Sequence, residues 1–350
     1  MQGMTQDSTV ERPRELQGLL ELTARVGRDP LLTQASTGNS SVKLNGILWV
    51  KASGKWMADA LKDDILIPLD LREIVVECLR QDVDPAGRYA GASLETALHA
   101  ALPHPVVLHV HCVDTIAWAV RKDGQAQLQA RLQGLRWQWI PYTASGLPLA
   151  RELERALRTQ PDADLFVLSN HGLVIAGDTP ERVESLLAEV RRRLGDPPRQ
   201  APAADYPALS AICADSSWTL PHDDEVHALG TDAISRSILA GGLLYPCQAL
   251  LSDSGSVELF RPVRRPLPGI RPPCGYPERA FLVIEGCGVV VHRTAKPAEL
   301  AMISGLARVV QRVPASAPLR YLTDAEIAGI SYEVAYRYRE LANANQISGR

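Results

Sequence analysis

The apolar run Pro105-Val106-Val107-Leu108 leads directly into His109-Val110-His111. A short, β-branched apolar run ending in two imidazoles predicts a buried strand over 105–111. Side chains at i and i+2 share one face of a strand, so His109 and His111 project from one rigid element in one direction. That arrangement suits two ligands of a single metal ion, and equally two hydrogen-bonded core histidines. A carboxylate, Glu95, lies upstream in Ser93-Leu94-Glu95-Thr96, and a third imidazole, His171, lies downstream in Ser169-Asn170-His171-Gly172. His171 follows a second apolar strand, 164–168, at the edge of a sheet where side chains converge. Three neutral imidazoles on a divalent ion leave an open coordination position, which a catalytic centre requires.

The chain has 350 residues, 46% of them hydrophobic, enough for a large core and a length that favours two domains over one. A formal net charge of -3 with scattered Lys and Arg argues against a nucleic-acid footprint. The cluster Arg191-Arg192-Arg193 falls at a predicted helix end, where cations suit the helix dipole. Six cysteines, at 78, 112, 213, 247, 274 and 287, form no C-x-x-C pair. They read as free thiols in a reducing cytoplasm. Residues 1–13 are polar, without an apolar signal core, and no stretch approaches ~18 uninterrupted apolar residues, so no membrane span is expected.

Periodicity predicts an amphipathic helix over 15–27, with Leu16, Leu19, Leu20, Leu22 and Val26 on its apolar face. A small polar turn at 36–40 precedes a hairpin over 42–50 centred on Asn45-Gly46, and Ala52-Ser53-Gly54 forms a second small-residue turn. Helices are expected over 71–80, from Leu94 to Ala101 with Ser93 as N-cap, over 115–120 and over 125–135. A strand over 164–168 continues beyond a turn into 173–176. Thr179 as cap and Pro180 at the first helical position open a helix to Leu194. The segment 195–207 is rich in Pro and Ala and reads as a linker between units 1–195 and 208–350. The second unit is also read as α/β: helices over 226–239, 298–313 and 323–343, the last opened by a Thr323/Glu326 capping box, and strands at 257–260, 280–284 and 289–292. No G-x-G-x-x-G follows a strand, so no dinucleotide domain is expected.

Six short pieces, in order, carry a family resemblance: Thr37-Gly38-Asn39-Ser40-Ser41-Val42, Ala52-Ser53-Gly54, Ser93-Leu94-Glu95-Thr96, His109-Val110-His111, Pro141-Tyr142 and Asn170-His171-Gly172-Leu173. Over about Leu16 to Leu194 the chain resembles the class II aldolase/adducin family. The resemblance implies an α/β fold in three layers, with a mostly antiparallel central sheet flanked by helices, followed here by a smaller α/β domain. It implies His109, His111 and His171 as ligands of zinc (or of Mn2+, Co2+ or Fe2+), and Glu95 as catalytic acid/base. Gly38, Asn39, Ser53, Gly54 and Ser93 match positions that hold a substrate phosphate. Tyr142 matches a proton-donating tyrosine that reaches a neighbouring subunit's site, which implies a homo-oligomer. Leu94 stands where shorter members often carry a serine. That feature, and Leu244-Tyr245-Pro246-Cys247-Gln248, Glu285-Gly286-Cys287-Gly288 and Tyr336-Arg337-Tyr338-Arg339, resemble longer members such as the aldolase part of bifunctional rhamnulose-phosphate aldolase/alcohol dehydrogenases. The histidine those members carry in the first of these segments is absent here.

Elementary chemistry agrees with these roles. Retro-aldol cleavage leaves an enolate whose charge a divalent Lewis acid stabilises, and a carboxylate can take the hydroxyl proton as the carbon–carbon bond breaks. Gly38 and Gly54 allow backbone N–H groups to approach an anion. Lys51 and Lys55 either add positive charge for that anion or are solvated. His99, at i+4 from Glu95, either orients that carboxylate or fills space. Cys112 should face away from the site. The expected activity is a zinc-dependent lyase acting on a ketose phosphate or a related sugar-acid phosphate. Decarboxylation, dehydration and epimerisation on the same site are the alternatives, and a non-catalytic scaffold is the reading from another class.

Overall fold

The computed structural model describes residues 13–249, 259–260, 280–330, 341 and 344. Among them, seven strands form the larger sheet: β1 (Asn39–Leu44), β2 (Ile47–Lys51), β3 (Leu66–Asp70), β4 (Val106–Val110), β5 (Trp137–Ile140), β6 (Leu165–Leu168) and β7 (Gly172–Gly177). Their order is β3-β2-β1-β4-β7-β6-β5, and only β5 and β6 run parallel. The β1–β2 hairpin turns on Asn45 (φ 50) and Gly46 (φ 81), the left-handed pair that a tight two-residue hairpin needs.

Strand β4 is central and buried at every residue. Its side chains alternate between two apolar layers. Val106, Leu108 and Val110 pack with Leu19 and Leu22 of the helix Leu16–Arg28 and with Leu186 and Val190 of the helix Pro180–Leu194. Val107 packs on the other face with Leu98, Leu149 and Leu153, from the helices Thr96–Ala101 and Leu147–Thr159. Helices thus cover both faces, giving the expected three-layer α/β arrangement. The helix Pro180–Leu194 opens as its sequence indicates, with the Thr179 side chain accepting from the Arg182 N–H at 3.2 Å.

Three local expectations change. The helix after Ser93 begins only at Thr96, and Ser93 does not cap it; the Ser93 N–H instead donates to Thr96 Oγ1 at 3.1 Å. Glu95 takes the N-cap position, but its side chain makes no capping hydrogen bond, because it turns into the site described below. The helix expected over 71–80 is a short α-turn, Leu71–Glu73, continued by the π-helical Ile74–Leu79. The helix expected over 226–239 is interrupted at Asp232. The Asp232 carboxylate accepts from the N–H groups of Ile234 and Ser235, which starts a separate helix, Ala233–Ala240.

A second sheet holds β8 (Trp218–Thr219), β9 (Leu259–Phe260), β10 (Phe281–Ile284) and β11 (Gly288–His292) in the order β8-β11-β10-β9. The helix Pro297–Arg312 packs against it, and its Leu306 and Val310 also meet Val113, Ile116 and Ala117 of the helix Val113–Ala119. One apolar cluster therefore reaches from the larger sheet's own helix to the smaller sheet. The stretch 195–205 contains no helix or strand, yet it is tied down: Arg199 donates to Asp232 and to the carbonyls of Val310 and Val313. The Thr323/Glu326 capping box is formed and opens the helix Asp324–Gly329. Tyr336-Arg337-Tyr338-Arg339 lies outside the described residues. Among the described residues no helix is long and apolar enough to cross a membrane.

Candidate metal centre

The alternation that buries Val107 toward the helix Thr96–Ala101 sends His109, two residues on, toward the same layer. His111 follows just past the end of β4. In the register of the sheet Asn39 on β1 lies directly opposite His109, with Val174 of β7 on the other side. Glu95 reaches in from the start of the helix in front of that face. His171 sits in the three-residue turn between β6 and β7, which closes because Asn170 adopts a left-handed backbone, φ 53. Asparagine tolerates that conformation better than most residues.

The four side chains meet. One ligand atom from each of Glu95, His109, His111 and His171 lies within 4.8 Å of all the others. Glu95 Oε1 is 3.2 Å from His109 Nε2 and 3.4 Å from His171 Nε2. His111 Nε2 is 3.1 Å from His109 Nε2. All three rings cross edge to face, with centroids 5.0, 5.0 and 5.1 Å apart. The other oxygen of the carboxylate, Oε2, accepts from Asn39 Nδ2 at 2.9 Å. His109 Nδ1 lies 3.0 Å from the Leu173 carbonyl, which can only accept. That nitrogen carries a proton, so in the neutral ring the lone pair of Nε2 is turned to the centre.

Burial and mutual charge tune the set. Burial disfavours the Glu95 carboxylate, but the imidazoles of His109 and then His171 hold it well below the usual carboxylate range. Burial disfavours a charge on His109, and the adjacent Glu95 more than restores it, so its pKa rises. Burial, followed by repulsion from His109 and His171, keeps His111 well below an ordinary histidine. His171 is lowered by burial as well. Three nitrogens and a carboxylate with converging lone pairs form a donor set that can hold a divalent cation, and an imidazole must shed its proton to join it.

The remaining predicted residues fall around this cluster in different ways. Asn39 bridges Glu95 and, at 3.4 Å, Ser93 Oγ. Gly38 has φ +75, and a Cβ there would lie 2.8 Å from the His109 carbonyl oxygen. Gly54 has φ +72, and the backbone of Leu341 lies against it, 2.9 Å from where a Cβ would stand. Ser53 is half-buried, its N–H donating to the Gly91 carbonyl at 2.9 Å. Lys51 is not solvated. It is 1% exposed, and its ammonium donates to the carbonyls of Ser36 (3.1 Å), Ala52 (3.4 Å) and Lys55 (2.8 Å), joining the two small-residue turns. Burial pushes its pKa down to about 8. Ser36 Oγ and Asn39 Oδ1 are buried with no hydrogen-bond partner among the described residues. Tyr142 is half-buried, with the Arg320 guanidinium 5.0 Å from its ring centroid, and burial pushes its phenol up to about 12.

Two further contacts concern residues whose roles the sequence left open. His99 does not orient Glu95; its Nδ1 pairs with Ser41 Oγ at 2.7 Å on the neighbouring strand. The segment 244–248, despite lacking the histidine of its longer relatives, reaches the site through Cys247, whose Sγ lies 3.1 Å from His111 Nδ1. No sequence signal marks that contact, because the partners are 136 residues apart.

The chain is similar to several known proteins. A Bacillus subtilis protein named as the uncharacterized oxidoreductase YuxG is 27% identical over 215 residues, which cover 54% of this chain and 31% of that protein. The chain thus spans about a third of the length of that relative. Among solved structures, the N-terminal class II aldolase domain of a conserved protein from Thermoplasma acidophilum is 21% identical, with a TM-score of 0.44, covering 55% of this chain and 98% of that one. An L-fuculose-1-phosphate aldolase from Thermus thermophilus is 19% identical, with a TM-score of 0.37, covering 51% of this chain and 92% of that one. The family model of the Class II Aldolase and Adducin N-terminal domain matches residues 17–194, just over half of the chain and all four residues of the His/Glu cluster, and the chain belongs to this family.

Proposed function

We propose that the protein is a zinc-dependent lyase of the aldolase type, breaking or making a carbon–carbon bond in a ketose phosphate or a related phosphorylated hydroxy-carbonyl compound. The observation that carries this reading is the placement of Glu95: one carboxylate oxygen against two imidazoles, the other fixed by Asn39. A divalent cation bound at His109, His111 and His171 supplies electrostatic stabilisation for negative charge developing beside a carbonyl. Everything else is done by the chain's own groups. Glu95, held as a carboxylate, takes a hydroxyl proton at Oε1 while Asn39 keeps the group from rotating. The turns that carry Gly38, Asn39, Ser53, Gly54 and Ser93 form the phosphate site of this reading, with the hydroxyls of Ser53 and Ser93 as its donors and the buried ammonium of Lys51, whose own hydrogen bonds go to backbone carbonyls, adding positive charge beneath them. Tyr142, whose phenol stays protonated, is the proton donor to the departing fragment, and a neighbouring subunit completing the site would make the working form a homo-oligomer.

A zinc-loaded screen of ketose phosphates and oxo-acid phosphates, read by aldehyde release and by carbon dioxide release, tests the reaction. Aldehyde is the expected product; carbon dioxide without aldehyde would replace the aldolase reading by decarboxylation. Glu95→Gln should lower turnover by at least about 100-fold with metal content retained. Unchanged turnover in that variant would remove Glu95 from its role.

A further inference from the structure

His111 presents two nitrogens to two different neighbourhoods. Nε2 faces His109 Nε2 at 3.1 Å, inside the cluster, and Nδ1 faces Cys247 Sγ at 3.1 Å, outside it. We propose that Cys247 is a positioning residue for the metal centre: its sulfur accepts the Nδ1–H of His111 and so holds the tautomer and ring orientation that aim Nε2 at His109 and Glu95. The proposal rests on reading the cluster as a metal site.

His109 shows what such a ligand needs. Its Nδ1–H is anchored by a backbone carbonyl, Leu173, so its tautomer is fixed whatever the side chains do. His111 lies beyond the strand end, where Cys247 Sγ takes the corresponding place on the outer nitrogen. A thiol sulfur can accept as well as donate, so it can fill that role, though more weakly than a carbonyl. Outer partners of this kind orient ligating imidazoles and raise metal affinity. The sulfur is not itself one of the converging ligand atoms, which come from Glu95 and the three histidines alone.

The thiol is delivered by a built element. Cys247 is buried in the short helix Pro246–Ala249. The Leu244 N–H donates to Gln248 Oε1 at 2.9 Å, closing the segment on itself. Asn170 Nδ2 donates to the Leu244 carbonyl at 2.7 Å, so the turn that carries His171 grips the segment that carries Cys247. Two of the three imidazoles are therefore tied to one stretch of the C-terminal half.

The test compares the full chain with Cys247→Ala and Cys247→Ser. Zinc affinity is measured by competition with a chromophoric chelator, alongside thermal melts. Cys247→Ala should weaken zinc binding about 10- to 100-fold, while Cys247→Ser, whose hydroxyl can accept from Nδ1–H, stays within about threefold of the parent. Equal affinity of the parent and Cys247→Ala would overturn the proposal, as would an equal loss in the serine variant with its melting temperature unchanged. The cobalt-substituted parent should show no thiolate-to-metal charge-transfer band. Such a band, absent from Cys247→Ala, would make the cysteine a ligand instead and overturn the positioning role. If Cys247→Ala does not fold, 15N shifts of His111 in the zinc-loaded parent decide: ligation through Nε2 with Nδ1 protonated is expected, and ligation through Nδ1 overturns the assignment. A parent that binds no zinc fails both this proposal and the functional reading; a parent that binds it equally with and without the thiol fails this proposal alone.

Discussion

His99 shows how burial decides the behaviour of a single residue. It is fully buried, it pairs with Ser41 through Nδ1, and Nε2 has no partner among the described residues. Burial pushes its pKa down to about 3, so the folded protein keeps it neutral throughout the physiological range. The unfolded chain protonates the same residue near pH ~6.5. Below that value the unfolded state holds a proton that the folded state refuses, so stability contributed by His99 is complete above about 6.5 and is lost as pH falls toward 3. The slope attributable to this one group is about 1.4 kcal/mol per pH unit. Urea melts of the parent and His99→Gln between about pH 6.5 and 4 should show a flatter acid limb in the variant. Identical limbs would assign the acid sensitivity to other groups.

At the scale of the element, two glycines beside β4 leave no room for a side chain. Gly38 stands just before β1, and Gly172 opens β7. A Cβ at Gly38 would lie 2.8 Å from the His109 carbonyl oxygen, and one at Gly172 would lie 2.5 Å from the Val110 carbonyl oxygen. Gly38 also has φ +75, a conformation that costs an alanine extra strain. Gly38→Ala should therefore lose about 1–3 kcal/mol of stability and draw β1 away from His109. Calorimetry measures the first effect. Weakened zinc binding, through loss of the Asn39 contact with Glu95, measures the second. A variant as stable as the parent would mean that the His109 carbonyl can give way.

At the scale of the molecule, the C-terminal half is fastened to the β6–β7 turn by Asn170. Its Nδ2 donates to the carbonyls of Leu244 (2.7 Å) and Arg320 (2.8 Å), and its Oδ1 accepts from Arg320 Nη1 at 3.1 Å. Arg320 in turn pairs with Glu326 and lies over the ring of Tyr142. Asn170→Ala leaves the buried Leu244 carbonyl and the part-buried Arg320 carbonyl without a side-chain donor and places alanine in a left-handed backbone. The expected loss is about 2–4 kcal/mol, and Arg320→Ala, which spares the Leu244 contact, should lose less. Hydrogen exchange read by mass spectrometry should quicken at 242–248 and 318–322 in Asn170→Ala. Unchanged exchange there would show that the other ties, the shared apolar cluster and the Arg320 N–H bond to the Val120 carbonyl among them, hold the two halves together without Asn170.

Local physics made much of this protein legible from its residues. The helix at Leu16, the Asn45-Gly46 hairpin, the Thr179-Pro180 helix start and the Thr323/Glu326 box each depend on neighbours within a few positions, so periodicity and capping chemistry suffice. The strand carrying His109 belongs to the same class, and the order of short motifs pointed to Glu95, His111 and His171. The edge strands were harder. β3 carries Pro68, tolerated because the strand lies at the sheet's rim, and β5 is only half-buried along most of its length; neither has the alternation of a strand facing a core. Tertiary structure alone decided that Lys51 is buried rather than solvated, that His99 turns to Ser41 rather than Glu95, and that the outer nitrogen of His111 meets Cys247. Spacing along a helix says which side chains can meet, whereas the partner that wins is set by whichever distant element the topology brings within hydrogen-bond reach.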